Sequence, residues 1–305
     1  MSGPSEGRTA VVVALAANLA IAVSKFLAFA FTGSSSMLAE GVHSVADSGN
    51  QILLIIGGKR SKRVATAEHP FGYGRDRYIY SFLVAIVLFS VGGLFAVFEG
   101  AQKLRHPHEI TSPGWALATL AVALLLESIS LRTAYALGRV AKAELSWAAY
   151  IRQAKAPELP VVLLEDFAAL VGLIIAALAV GATIVFHAPV LDGVGTLLIG
   201  VLLISVAVVL AIESKSLLLG EAASSSDAIK IHNALLETDQ VERVIHLRTL
   251  HLSPDEILVA AKIAIRHDST ALSIARAIDA AEVRIRSAVP KATLIYLEPD
   301  IDREG

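Results

Sequence analysis

The sequence contains no cysteine. Disulfides and thiolate-bound metals are thereby excluded, and nothing in the chain reports the redox state of its compartment. Charge is scarce as well: charged residues are 18% of the 305, against about a quarter in average globular chains. The deficit is uneven, because residues 10–214 are mostly apolar whereas 221–305 have the composition of an ordinary soluble domain. With a formal net charge of −2 and no basic helix or aromatic-basic stripe, nucleic acid is not an expected partner. No Walker-type phosphate loop occurs, so nothing points to nucleotide-driven work. No Gly-x-Ser-x-Gly occurs either, and only one His lies mid-span, which argues against an intramembrane hydrolase.

What the chain has in quantity is apolar length. Hydrophobic residues make up 55% of it and mean hydropathy is +0.64. Six segments reach the roughly 20 predominantly apolar residues that a bilayer crossing requires. They are about 10–31, 36–58, 77–103, 113–138, 160–186 and 190–214. Breaks fall at Gly33-Ser34-Ser35-Ser36, at His106-Pro107-His108 and at Ala188-Pro189. Only Arg8 lies ahead of the first run, which has no small-residue cleavage site and reads as a retained helix.

Lys59, Arg60, Lys62, Arg63, Arg75 and Arg77 lie between spans two and three, and Arg139, Lys142, Arg152 and Lys155 between spans four and five. The opposite loops have only Lys103 and Arg105 near one of them. The positive-inside rule then places the basic loops, both termini and the C-terminal region in the cytoplasm. Beyond about 221 the pattern shortens. Ser225, Ser226 or Asp227 is the expected cap of a helix to about Glu237, and Ser269 or Thr270 that of a second helix. Val241–Leu250, Ile257–Ile265 and Ala292–Leu297 read as strands, the first two joined at Ser253-Pro254-Asp255. The expected fold is an α-helical membrane protein: a tail (1–9), six transmembrane helices (10–214) and a cytoplasmic αββαβ domain (221–298).

Within span two lies Met37-Leu38-Ala39-Glu40-Gly41-Val42-His43-Ser44-Val45-Ala46-Asp47. Ionisable groups at bilayer depth are costly and mark functional sites by default. His43 and Asp47 are four residues apart, hence on one helix face, and their imidazole and carboxylate are half of a tetrahedral metal site. Span five carries the adjacent carboxylates Glu165 and Asp166. By helical rise, Asp47 lies ~18 Å below the outer end of span two and Asp166 ~9 Å above the inner end of span five. In a core ~30 Å thick that leaves the two within roughly 3 Å in height. Glu165 and Asp166 are ~100° apart around the helix, so both cannot face one ion squarely. Asp166 is the expected direct ligand, and Glu165 an alternate ligand, a proton carrier or the partner of a base elsewhere. Lys25 is a possible partner for Glu40 or Glu165, while Glu99, Glu127 and Glu213 read as structural or interfacial.

Together with Ser34–Glu40 and with His69-Pro70-Phe71-Gly72-Tyr73-Gly74-Arg75 before span three, these features resemble the cation diffusion facilitator family over about residues 9 to 298. The resemblance implies a ferredoxin-like tail and a homodimeric divalent-cation/proton antiporter that moves Zn²⁺ out of the cytoplasm by alternating access. It is no enzyme, and no cofactor is expected beyond the transported ion. Family members take two ligands from span two and two from span five, which here match His43, Asp47 and Asp166. Where the family has a further His or Asp, this chain has Val162. Its Glu165-Asp166 pair is similar to a divergent branch that includes a mitochondrial zinc transporter of animals. The fourth ligand is then Glu165, a water or Asn18, and an oxygen-richer site also admits Mn²⁺, Fe²⁺ or Co²⁺. His43, with an ordinary pKa near neutrality, and Glu165 are the expected proton-coupling groups. The resemblance also implies an ion pair between Arg75 and Glu221 joining membrane and tail domains. His232, His246, His251 and His267 lack metal-ligand spacing and read as surface residues. Alternatives from other classes are a non-transporting metal-sensing dimer and a cation channel. The expected home is a bacterial inner membrane.

Overall fold

The computed structural model describes residues 4–32, 35–107 and 113–300; within its helices, the side chains of 4–6, 28–29, 31–32, 35–43, 46 and 113 lie outside the described set. The breaks at Gly33-Ser34 and His108, and the side chains of Glu40 and His43, therefore fall outside it. The chain divides into two units: Met1–Arg60 with Asp76–Lys215, and Ser61–Arg75 with Ser216–Gly305.

The first unit is helical. It comprises α1 (Pro4–Thr32), α2 (Ser35–Arg60), α3 (Asp76–Val87), α4 (Phe95–Arg105), α5 (Pro113–Ala141), α6 (Trp147–Gln153), α7 (Glu158–Phe186) and most of α8 (Val190–Leu219). A π-helical stretch, Leu88–Leu94, joins α3 to α4 into one 30-residue rod. Among the described residues, five helices are long and apolar enough to cross a membrane: Gly7–Leu27, Asp76–Arg105, Gly114–Ala141, Glu158–Phe186 and Val190–Leu219. The remaining expected span is α2, whose 26 residues reach ~39 Å. Its run of Ser, Asp, Asn and Gln keeps it from being apolar throughout.

Burial in this unit runs opposite to that of a water-soluble bundle. Large apolar side chains such as Phe98, Leu125, Leu178, Val185 and Ile212 are exposed, while Ser44, Ser48, Asn50, Gln51, Glu127, Ser130, Glu165 and Asp166 are buried. A perimeter of that kind is stable against hydrocarbon, where backbone polar groups are satisfied within each helix. The apolar part of the interior gathers Val11, Leu54, Val84, Val162, Leu163 and Leu210.

Small residues set the helix spacing. A Cβ added at Gly93 would lie 2.9 Å from Ile204 N, one at Gly100 2.8 Å from Leu197 N, and one at Gly200 2.7 Å from Val97 N. The rod and α8 thus meet backbone to backbone, as small-residue faces allow in membranes. At the start of α7, Glu158 accepts from Arg77 Nε and Nη2, the latter at 2.9 Å. This bidentate pair ties α3 to α7 with both side chains nearly buried.

In the second unit β1 (Val241–Ser253) and β2 (Glu256–Ile265) form an antiparallel hairpin, and β3 (Ala292–Asp300) pairs parallel with β2, in the order β1-β2-β3. The helices α9 (Ser225–Leu236) and α10 (Ala271–Ala288) pack Ile231, Leu235 and Ile285 onto Ile257, Val259 and Ile263. The α9 cap is Ser224 rather than any of the three residues after it, with its Oγ accepting from Asp227 N at 3.1 Å. That choice sets Asp227 in the first turn, where a carboxylate favours the helix dipole. Thr270 caps α10 as expected. His251 is buried, not a surface residue, and its Nδ1 lies 3.1 Å from Ser253 O.

The segment Ser61–Arg75 belongs to this unit. Gly72 has φ +75°, which only glycine adopts freely, and its N–H donates to His69 O at 2.9 Å. A Cβ on Gly74 would sit 2.9 Å from Leu252 O, so side-chain-free backbone is required there too. On β2, Lys262 Nζ donates to Asp300 at 2.8 Å and to Glu298 at 3.1 Å. Those hydrogen bonds raise its pKa above the ordinary lysine value. With a raised pKa, what the contact contributes is complete at neutral pH and is lost only as strongly alkaline pH removes the proton.

Substitution tests the close helix contact. Gly200→Val is expected to destabilise the detergent-solubilised protein by about 1–3 kcal/mol through overpacking against Val97 N. Gly181→Ala, with nothing within 4 Å of the new methyl, should instead be neutral or stabilising by up to about 1 kcal/mol. Thermal unfolding of the two variants checks this; equal melting points would remove the argument.

Candidate functional site

The buried polar face of α2 begins with residues the helix spaces one turn apart. Ser44, Asp47, Ser48, Asn50 and Gln51 recur at three- and four-residue intervals and so share one side. Two side-chain contacts fasten this face to α1. Lys25 Nζ donates to Ser44 Oγ at 3.0 Å, and Asn18 Nδ2 donates to Gln51 Oε1 at 3.3 Å. Positions 18 and 25 on one helix and 51 and 44 on the other are seven apart in opposite senses, which is the register of two antiparallel helices over two turns.

The carboxylates of α7 diverge as their angular separation demands. Glu165 accepts from Asn50 Nδ2 at 2.7 Å and from Gln51 Nε2 at 3.0 Å, both on α2. Asp166 accepts from Ser130 Oγ of α5 at 2.6 Å. Of the roles open to Glu165, that of partner to a base finds no support among the described contacts, since amides hold it and Lys25 donates to Ser44. Arg132 is exposed. Asp47 is half-buried and lies within electrostatic reach of Glu165.

Glu127, which the sequence left as structural or interfacial, lies beside the carboxylates of α7. It is 3% exposed, one turn before Ser130 on α5, and stands in the field of Asp166, Glu165, Asp47 and Lys25. A single Glu in an apolar run gives no sign of which neighbours it will meet; its three-residue spacing from Ser130 was the only available signal. Asn50 and Gln51 were missed for a related reason, being uncharged. Val162 is fully buried in the apolar interior, which explains a valine there.

Four carboxylates thus share one field with one described ammonium, in a bundle whose perimeter is apolar. Desolvated charge in such excess must be neutralised by protons or by cations. Among the described residues, no three His, Asp or Glu side chains converge tightly enough to hold a metal ion. The donors stand on separate helices: Asp47 on α2, Glu127 on α5, Glu165 and Asp166 on α7.

The amide clamp on Glu165 makes a measurable claim. Gln51→Leu strips a donor from Glu165 and an acceptor from Asn18, and should cost about 1–3 kcal/mol. In a cycle with Glu165→Gln the two changes should couple by about 0.5–3 kcal/mol. Additive shifts in thermal unfolding would show that the contact carries no energy.

Residues 11–219 match the family described as the cation efflux transmembrane domain, and 223–300 match the cytoplasmic domain of cation efflux proteins. The chain is 36% identical over 238 residues to the proton-coupled zinc antiporter SLC30A9, mitochondrial, of Homo sapiens, covering 77% of this chain and 42% of that protein. It is 30% identical over 256 residues to metal tolerance protein C4 of Arabidopsis thaliana, covering 83% of this chain and 56% of that protein. A third relative, the magnetosome protein MamM of Paramagnetospirillum magneticum, is 34% identical over 104 residues, covering 32% of each. The chain spans about two fifths of the length of the mitochondrial relatives it matches. With both of its regions matched in order, the chain belongs to the cation efflux, or cation diffusion facilitator, family.

Proposed function

We propose that the protein is a secondary carrier and not an enzyme, exchanging a divalent cation, in the first place Zn²⁺, for protons across a membrane. One observation carries the reading: the buried excess of carboxylate among α2, α5 and α7, inside a bundle with an apolar perimeter. The relative named a proton-coupled zinc antiporter supports the same choice. His43 and Asp47 of α2 and Asp166 of α7 are the proposed ligands, with Glu165 as an alternate ligand. Metal ligands must be deprotonated, so ion arrival expels protons, and proton arrival from the far side releases the ion. His43 and Glu165 are the proposed coupling groups. The oxygen-rich donor set favours a second reading in which Mn²⁺, Fe²⁺ or Co²⁺ is carried.

The rest of the proposed architecture follows the expectations set above. In it, α2 is the sixth span, both termini are cytoplasmic, the αββαβ tail is ferredoxin-like, the carrier is a homodimer, and a bacterial inner membrane is its home. An ion pair between Arg75 and Glu221 belongs to the same proposal. The approach of Arg75 Nη2 to within 3.6 Å of a Cβ built on Gly220 supports it, since Glu221 is the next residue. If the pair acts, Arg75→Glu and Glu221→Arg should each lower transport and the double swap should restore most of it. A double variant no better than either single one would end that idea.

Uptake of ⁶⁵Zn²⁺ into proteoliposomes under an imposed pH gradient tests the main reading. Saturable flux that follows the gradient and is lost in Asp47→Ala and in Asp166→Ala is the expected result. Metal binding without flux would make the protein a sensor, and flux without saturation or proton dependence would make it a channel.

A further inference from the structure

The interior contains an acceptor with nothing to accept. Asn50 is 1% exposed, and its buried Oδ1 has no hydrogen-bond partner among the described residues. Its orientation is fixed by the other end of the same planar amide, because Nδ2 donates to Glu165 Oε1 at 2.7 Å and a carboxylate can only accept. The orphaned oxygen therefore sits beside Glu165, on the α2 face that also carries Asp47 one turn earlier. A buried carbonyl oxygen without a donor bears the full cost of its lost hydration. Glu165, the carboxylate that this amide holds, itself stands in the field of Asp47 and Asp166. An electronegative oxygen in such a field is where a cation gains most.

We propose that Asn50 is a ligand of the transported cation and that its Oδ1 supplies the oxygen donor that Val162 cannot. The inference rests on the carrier reading above and deepens it by naming a residue that sets ion preference. The amide gives the residue two faces with different duties. Its nitrogen holds Glu165 in place, and its oxygen, on the same rigid group, is presented to the ion next to that carboxylate. A neutral amide oxygen is a hard donor of the kind that suits Mn²⁺ as well as Zn²⁺. Replacing it with an apolar group should therefore hurt the harder ion more. Gln51 cannot take this part, since its own oxygen is engaged by Asn18.

The test uses the full-length protein in detergent micelles and measures equilibrium binding of Mn²⁺ and Zn²⁺ by titration calorimetry, beside proteoliposome flux. Asn50→Leu removes both faces of the amide while keeping the same branched side-chain skeleton. It should raise the Kd for Mn²⁺ by about tenfold or more and that for Zn²⁺ by less. Asn50→Asp removes the clamp on Glu165 but keeps an oxygen, and should bind both ions more tightly than Asn50→Leu does. Gln51→Leu, which loosens the clamp alone, should leave the Mn²⁺-to-Zn²⁺ ratio unchanged. Equal losses in the Leu and Asp variants would make Asn50 a clamp only and overturn the inference, as would a Leu variant indistinguishable from the parent. Binding and flux by the parent protein in either case would leave the carrier reading standing, whereas a parent that binds neither ion sinks both.

Discussion

The cost of burying carboxylates among apolar helices governs this molecule. Three kinds of polar contact around the carboxylates answer it in part: amides on Glu165, a hydroxyl on Asp166, an ammonium donating to Ser44 nearby. None of these neutralises the charge. Hydrogen bonds lower the penalty for an ionised carboxylate, but only an opposite charge or a proton removes it. An interior built for stability alone would replace such a cluster with packed apolar side chains, often at no loss. Its presence across α2, α5 and α7 therefore points to an interior that takes up protons or cations.

Spacing makes that interior coherent. The rod of α3 and α4 approaches α8 along glycines, and Arg77 with Glu158 ties the rod to the first turn of α7. Those contacts lie away from the carboxylates and are closely fitted or bidentate. Between α2 and α7 the connection is different in kind, consisting of side-chain amides on a carboxylate. Amides can exchange acceptors at modest cost, whereas backbone packed on backbone cannot be rearranged locally. The division places the adaptable contacts at the polar centre and the fixed ones around it.

Much of the architecture was legible because hydropathy and turn chemistry are local properties. The five apolar spans, the three strands and the cap at Thr270 could be placed from short windows of sequence. Asp47 and Asp166 could be singled out because charge in an apolar run is conspicuous. The partners of these residues were not legible, since they depend on which helix faces which. Glu127 carries the same charge as Glu165 yet gave no sign of joining it until α5 and α7 were seen side by side. Asn50 and Gln51 escaped notice because an uncharged amide alters hydropathy no more than many surface residues do. The α9 cap was missed by one residue because four candidates stand in a row, and only the hydrogen bond to Asp227 N separates them.

Two motifs that mark the family in this sequence owe their residue types to different physics. His43 and Asp47 stand one helical turn apart in α2, and the role proposed for them is one of side-chain chemistry. In His69–Arg75 the decisive positions are those with no side chain at all. Gly72 turns the segment through a conformation with positive φ, and Gly74 lets its backbone lie on Leu252 O. The neighbouring rings of His69 and Tyr73 meet edge to face at 4.7 Å, and Arg63 stands over Tyr73, so the segment has a shape of its own. A substitution in the first motif alters chemistry and can leave the fold intact; one at Gly72 or Gly74 must first move backbone. Similar strength of resemblance at two motifs is therefore no guide to similar role, because one is proposed for its side chains and the other needs the lack of them at Gly72 and Gly74.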